Sequence, residues 1–104
     1  MIEYEVIITQ RAYTSIVECT SFVRSVSQSA SITLYDEIMS SIRSLTSFPS
    51  RYPEIQNLEY RGGKIRRMLI HNGRYCILYK IDDQKVIIYN ILDCRKDNKL
   101  FELL

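Results

Sequence analysis

The chain has 104 residues, 46% of them hydrophobic, and its 14 basic and 12 acidic residues give a formal net charge of +2. This length is typical of one domain, expected here over residues 1–104, and is too short for the two lobes and deep cleft of a large two-substrate enzyme. Three glycines, two prolines and ordinary apolar content exclude a collagen-like, disordered or disulfide-scaffold protein.

The chain begins with a predicted strand followed by a helix. Residues 4–9 alternate weakly and are rich in β-branched residues, which indicates a strand, and Thr9 can cap the helix that follows. Apolar residues then recur at spacings of 4, 3, 4 and 3, which is typical of one face of a helix. That face comprises Ala12, Ile16, Cys19, Val23 and Val26.

A second helix is predicted after a serine-rich break, where Ser29 or Ser31 can supply the cap. Pro49 is expected to end this helix, and Pro53 predicts a loop that continues to about Glu59. The apolar face of the second helix comprises Tyr35, Ile38, Met39, Ile42 and Leu45.

The rest of the chain predicts three strands joined by short turns. Residues 64–70 and 75–81 flank a turn at His71-Asn72-Gly73, and a second turn at residues 82–84 leads into a strand over residues 85–92. The order is therefore strand, helix, helix and three strands. We expect an α+β fold in which an antiparallel sheet packs against a helical hairpin.

The sequence indicates neither targeting nor metal binding. Residues 1–5 carry two acids where a signal peptide has a basic stretch, and the longest apolar runs are far below the ~18 residues of a membrane span. The three cysteines show no CxxC spacing, which favours free thiols and predicts no metal and no cofactor. We therefore expect a cytoplasmic protein without a membrane partner.

Basic residues concentrate in the second half of the chain. Residues 1–53 have four basic and five acidic side chains, whereas residues 54–104 have ten and seven. The segment 61–74 holds five basic residues and no acid, so it is either a surface that binds phosphate or a partner, or a set of solvated side chains. The low total charge argues against direct sequence-specific nucleic-acid binding. Candidate target- or phosphate-binding residues are Arg61, Lys64, Arg66, Arg67, Arg95 and Lys96.

Several short segments stand out by their order and spacing. They are Tyr4-x-Val6-x-Ile8-Thr9-x-Arg11-Ala12, Leu45-x-x-Phe48-Pro49-x-Arg51-Tyr52-Pro53, residues 66–70 with 75–81, and residues 86–88 with 91–97. Together they resemble the RelE/ParE superfamily of type II toxin–antitoxin toxins over about residues 4–97. The resemblance implies a growth-inhibiting toxin that a cognate antitoxin neutralises by wrapping its sheet and helices.

Departures from the family pattern bear on the mechanism. Cys76 stands where the resemblance implies a nuclease arginine, and a thiol cannot hold a fixed positive charge on a phosphate. Phe101 is nearest to the position of a C-terminal nuclease tyrosine, and Asp93 replaces a histidine of the closing motif. The resemblance is therefore closer to ParE than to RelE. It implies DNA gyrase as the target, and a toxin that is not itself catalytic.

A ribosome-dependent mRNA endonuclease is the alternative function. Cleavage by 2′-hydroxyl attack needs a general acid, a general base and positive charge at the phosphate. Histidine exchanges protons near neutral pH, and the one histidine, His71, lies close in sequence to Arg66, Arg67 and Arg74. These four form the candidate catalytic set, although a histidine in a turn is more often merely solvated. A third hypothesis is an inactive relic that only binds antitoxin.

One face of the second hairpin strand is a candidate antitoxin surface. Cys76, Leu78 and Lys80 alternate with the residues expected to face the helices. If the helices cover only one face of the sheet, Leu78 is partly exposed on the other. A partner segment that adds a strand or a helix would then contact these three residues.

Overall fold

Two helices pack against one face of a five-stranded sheet in the computed structural model, which describes residues 3–95. The α+β class and the order of strand, two helices and further strands are thereby confirmed. No helix within the described residues is long and apolar enough to cross a membrane. The elements are β1 (Glu5–Ile8), α1 (Gln10–Arg24), α2 (Gln28–Ser44), a 3-10 turn (Pro49–Arg51), β2 (Glu54–Tyr60), β3 (Gly63–Ile70), β4 (Tyr75–Asp82) and β5 (Lys85–Asp93).

The sheet is mixed, with the spatial order β1-β5-β4-β3-β2. Strands β2 to β5 form an antiparallel meander, whereas β1 pairs with β5 in parallel, with Val6 opposite Val86. The predicted antiparallel sheet is therefore confirmed for β2 to β5, and the parallel pairing of β1 with β5 adds to it. No tight turn joins β1 to β5, so their relative direction is set by the path through the helices and the meander.

Four strands follow the helices, and the prediction of three is wrong because β2 occupies the expected loop. Its register with β3 shifts between Glu54 and Glu59, and Asn57 has a left-handed φ of 61°. This bulge spaces the half-buried residues Ile55, Leu58 and Tyr60 unevenly, so the strand lacks the alternation by which strands are recognised.

The helix caps follow the expected chemistry, but one of them lies earlier than predicted. Thr9 Oγ1 accepts a hydrogen bond from the Ala12 amide at 3.2 Å, as expected for the α1 cap. Ser27, not Ser29 or Ser31, caps α2 through the Ala30 amide at 3.2 Å. The Ser31 hydroxyl instead donates to the Thr20 carbonyl at 2.7 Å and ties the two helices together.

Two members of the predicted helix faces are exposed. Val26 lies beyond the end of α1, and Tyr35 projects away from the core, where Leu34 is buried in its place. The main core lies between the helices and the sheet. Its fully buried members include Ala12, Ile38, Ile77, Tyr79, Val86 and Ile88.

A second, smaller core covers the opposite face of the sheet. Leu78 is 0% exposed there, so the prediction that it is partly exposed is wrong. The missed strand explains the burial, because side chains of β2 pack against this face. The buried residues of this second core are Ile65, Cys76, Leu78, Tyr89 and Leu92, and the half-buried residues packed on them are Ile55, Leu58, Tyr60 and Ile87.

Candidate functional site

Two of the five basic residues in the predicted segment, Lys64 and Arg66, are paired with carboxylates of another strand. Lys64 Nζ lies 3.0 Å from Glu59, and an Arg66 guanidinium nitrogen lies 3.5 Å from Glu54. Both acids belong to β2 and are the cross-strand partners of these residues. The segment lacks acids in sequence but not in space, so it does not form a continuous free basic patch.

Arg66 has a structural role. One guanidinium nitrogen donates to the carbonyls of Ser50 and Tyr52, at 3.1 and 2.6 Å, and the side chain is only 21% exposed. It shares a strand face with Met68, which packs beneath the helices. The guanidinium therefore anchors the segment between the 3-10 turn and β2.

The four residues of the candidate catalytic set are not all brought together, because only His71 and Arg74 line the same pocket. Arg66 and Arg67 are consecutive on β3, so their side chains point to opposite faces of the sheet. His71 lies about 16 Å from Arg66 along the direction of the strand. His71 Nδ1 is 2.8 Å from Glu37 of α2, and its amide donates to the same carboxylate at 2.9 Å. The Arg74 guanidinium lies 5.5 Å from the centre of the Tyr75 ring, and its Nε has no hydrogen-bond partner among the described residues.

Substitutions of the neighbouring Arg66 and Arg67 are expected to affect stability to very different extents. Arg66→Ala is expected to lower the free energy of unfolding by about 2 kcal/mol, because two hydrogen bonds to backbone carbonyls and an ion pair are lost. Arg67 is exposed, and Arg67→Ala is the matched control, expected to change the free energy of unfolding by less than about 0.5 kcal/mol. Urea denaturation of both variants provides the measurement. Equal losses would contradict the structural role given to Arg66.

The thiol of Cys76 is expected to be unreactive. Burial raises the pKa of its thiol to about 12, and the neighbouring Cys94 thiol adds to the shift. The group therefore stays neutral at physiological pH and supplies neither a cation nor a reactive thiolate. With Leu78, it lies in the second core, so neither side chain is presented to a partner at the surface.

The C-terminal basic cluster is partly paired. Arg95 donates to Asp93 through two guanidinium nitrogens, at 3.2 and 2.9 Å, and these hydrogen bonds hold the pKa of Asp93 down at about 2. Lys96, the other predicted member of this cluster, lies outside the described residues, as does Phe101.

A basic groove opens where the β2–β3 turn meets the start of α1. Arg61 and Gly62 form a two-residue turn with φ of 53° and 79°, and the Arg61 carbonyl accepts a hydrogen bond from Lys80 Nζ at 2.9 Å. The rings of Tyr60 and Tyr89 meet edge to face, with centres 5.1 Å apart. Together with Thr9 and Gln10 they enclose about 620 Å³, which we call the Lys80 groove.

The outer side of the helical hairpin carries exposed apolar residues. Ser15 of α1 bonds Asn90 of the sheet, and two residues further on Val17 points the opposite way. On α2, Glu37 bonds His71 beside the sheet, and Tyr35 likewise points away. Four residues, Tyr13, Val17, Ile32 and Tyr35, are between 45% and 55% exposed, and we call them the hairpin patch.

Sequence reasoning missed both the groove and the hairpin patch. The signal for the patch was present, because Tyr13 and Val17 lie four residues apart and off the predicted apolar face of α1. The groove had no comparable signal, since Tyr60, Lys80 and Tyr89 come from three strands whose register is not visible in the sequence. No group of three or more potential metal-binding side chains occurs within residues 3–95.

Comparisons with known proteins agree on one family. A family model described as "ParE toxin of type II toxin-antitoxin system, parDE" matches residues 6–98. No curated protein sequence gives a significant match. Among solved structures, a chain of the "Chromosomal ParDE TA system from P. aeruginosa" is similar with a TM-score of 0.70 and 11% identity, over 89% of this chain and 98% of that chain. At this identity the structural match supports a common fold.

Proposed function

This chain belongs to the ParE toxins of type II toxin–antitoxin systems, and from this premise we propose that it poisons DNA gyrase in the cytoplasm until a cognate antitoxin neutralises it. A toxin of this kind acts by binding, so it needs a complementary surface and not a set of catalytic groups. Catalysis in the poisoned complex belongs to gyrase.

One observation favours gyrase over mRNA cleavage: the residues required for a nuclease are dispersed or occupied. Arg66 is held by backbone carbonyls, and His71 is held by Glu37. Cys76, at the position where the family resemblance implies a nuclease arginine, is a buried neutral thiol. His71 and Arg74 line the same pocket, but Arg66 and Arg67 do not line it, so the four candidate groups do not surround one point as in-line attack on a phosphodiester requires.

Expression of the chain without its antitoxin tests this function. We expect growth arrest, loss of gyrase supercoiling in the extract and unchanged mRNA ends. Purified chain added to purified gyrase should reproduce the loss, and pre-incubation with the antitoxin encoded beside the toxin should prevent it. The control is co-expression of both proteins, which should leave growth and supercoiling unchanged.

The same experiment discriminates the alternatives. New mRNA ends at defined codon positions, with intact supercoiling, would establish the endonuclease and refute the gyrase proposal. Normal growth despite soluble, folded protein would point to a relic that only binds antitoxin.

For the antitoxin we propose an amphipathic helical segment seated on the hairpin patch. Exposed aromatic and aliphatic side chains on neighbouring helices suit the apolar face of such a segment. The Ser31–Thr20 hydrogen bond pairs the helices so that Val17, one turn before Thr20, lies near Tyr35, one turn after Ser31. We propose this surface as the antitoxin contact instead of the face of the sheet around Leu78, because Leu78 is buried.

A further inference from the structure

Lys80 is a buried cation whose charge is left uncompensated. Lys80 is 8% exposed, and its ammonium makes one hydrogen bond, to the Arg61 carbonyl at 2.9 Å. None of the ion pairs within residues 3–95 involves it. An ammonium carries three donors, and a buried charge without a counter-ion is costly. The site therefore favours a ligand that brings negative charge and hydrogen-bond acceptors.

The fold makes room for this lysine at Gly63. A Cβ at that position would lie 2.6 Å from Cε of Lys80 and 2.8 Å from its Cδ. Gly63 does not have the left-handed backbone that requires glycine, unlike Gly62 with a φ of 79°. Because Gly63 has no side chain, the aliphatic part of the Lys80 side chain can pass beside it into the groove.

The other walls of the Lys80 groove are suited to an oxyanion. The Arg61 guanidinium lies over the Tyr60 ring, 5.3 Å from its centre, at the mouth of the groove. Tyr89, whose ring contacts that of Tyr60, also lines the groove, and the phenols of both residues are hydrogen-bonding groups. Asp82 also lines the groove and opposes an anion, but it makes no ion pair with Lys80. The volume of about 620 Å³ accommodates a phosphate with its hydration.

We propose that the Lys80 groove is a phosphate-binding site, in which the Lys80 ammonium and the Arg61 guanidinium contact a tetrahedral oxyanion. A phosphate offers more acceptor oxygens than a carboxylate, so it can meet both cations and a tyrosine hydroxyl at once. The ligand is either a free phosphate or the backbone phosphate of a single-stranded nucleic acid. This inference stands on the geometry of the groove and does not depend on gyrase poisoning.

The test is an NMR titration of the full chain at constant ionic strength, with sodium phosphate in one arm and a short single-stranded DNA oligonucleotide in the other. Sodium acetate is the carboxylate control. We expect saturable shifts of the Gly63, Lys80 and Tyr89 amides with phosphate and none with acetate. An oligonucleotide that binds about tenfold tighter than phosphate at the same amides identifies a polymer as the source; weaker binding identifies free phosphate.

Two variants tie the binding to the groove. Lys80→Met keeps the alkyl volume and removes the charge, whereas Gly63→Ala keeps the charge and displaces the ammonium. Both are expected to weaken phosphate binding about tenfold or more, whereas Lys85→Met, at an exposed lysine of β5, should leave it unchanged. The absence of saturable shifts, equal binding of acetate, or unchanged affinity in folded Gly63→Ala would each overturn the proposal.

Discussion

Tyr79→Ala is expected to lower the free energy of unfolding by about 3–5 kcal/mol, enough to leave much of a small domain unfolded. Tyr79 is 0% exposed, and it lies on the central strand β4 beneath the helices. Its hydroxyl donates to the Pro49 carbonyl and so joins the sheet to the segment that follows α2. The substitution removes both the ring and this link. Urea denaturation followed by circular dichroism gives the loss directly.

Tyr79→Phe separates the two contributions. It keeps the ring and leaves the buried Pro49 carbonyl unpaired, so we expect a loss of about 1–2 kcal/mol. If Tyr79→Phe lowers the free energy of unfolding as much as Tyr79→Ala does, packing of the ring is not the main contribution and the explanation is wrong.

The same variant has a signature in alkaline solution. Burial raises the pKa of Tyr79 from 10.0 to about 12. The unfolded chain then loses the phenol proton first, so the stability contributed by the neutral group is complete below pH 10 and is lost as the pH rises towards 12. Tyr79→Phe should therefore lose stability less steeply across that interval.

The double variant Val17→Glu with Tyr35→Glu is expected to weaken antitoxin binding by about 100-fold or more. Each carboxylate would be buried against the apolar face of the antitoxin helix without a partner. Both positions are exposed in the free chain, so the fold should persist. Cells that express this variant should be poisoned even when the antitoxin is present. Isothermal titration with the purified antitoxin measures the affinity.

Ser40→Glu is the matched control for this experiment. Ser40 is also exposed on α2, half a helical turn away from the side that packs on the sheet. It adds an acid outside the hairpin patch and should leave antitoxin binding and neutralisation unchanged. A loss of binding in Ser40→Glu, or full binding by the double variant, would move the antitoxin contact elsewhere.

The sequence correctly predicts those helices and strands whose buried residues follow the regular spacing of the element. β4 alternates between the two cores at every position from Tyr75 to Tyr79, and α1 keeps a strict helical spacing from Ala12 to Val23, so both are predicted correctly. β2 fails because the bulge at Asn57 interrupts the alternation.

That one failure accounts for two others. Glu54 and Glu59 belong to β2, so the neutralisation of Arg66 and Lys64 could not be anticipated. Leu78 is buried with side chains of the same strand, so its exposure was wrongly expected. Arg61 was predicted as a phosphate ligand on local charge alone, and this prediction awaits the titration. Its association with Lys80 depends on the register between β3 and β4, which the sequence does not show.

The parallel pairing of β1 with β5 has a consequence for how the toxin is made. Thr9, at the end of β1, donates its hydroxyl to the Tyr89 carbonyl, a contact between residues 80 positions apart. Such non-local contacts close late, because a long chain segment must first be ordered. During translation, β1 has no partner strand until β5 has been synthesised. A chain that stops before β5 therefore lacks the complete sheet, and we expect toxicity to require synthesis of β5.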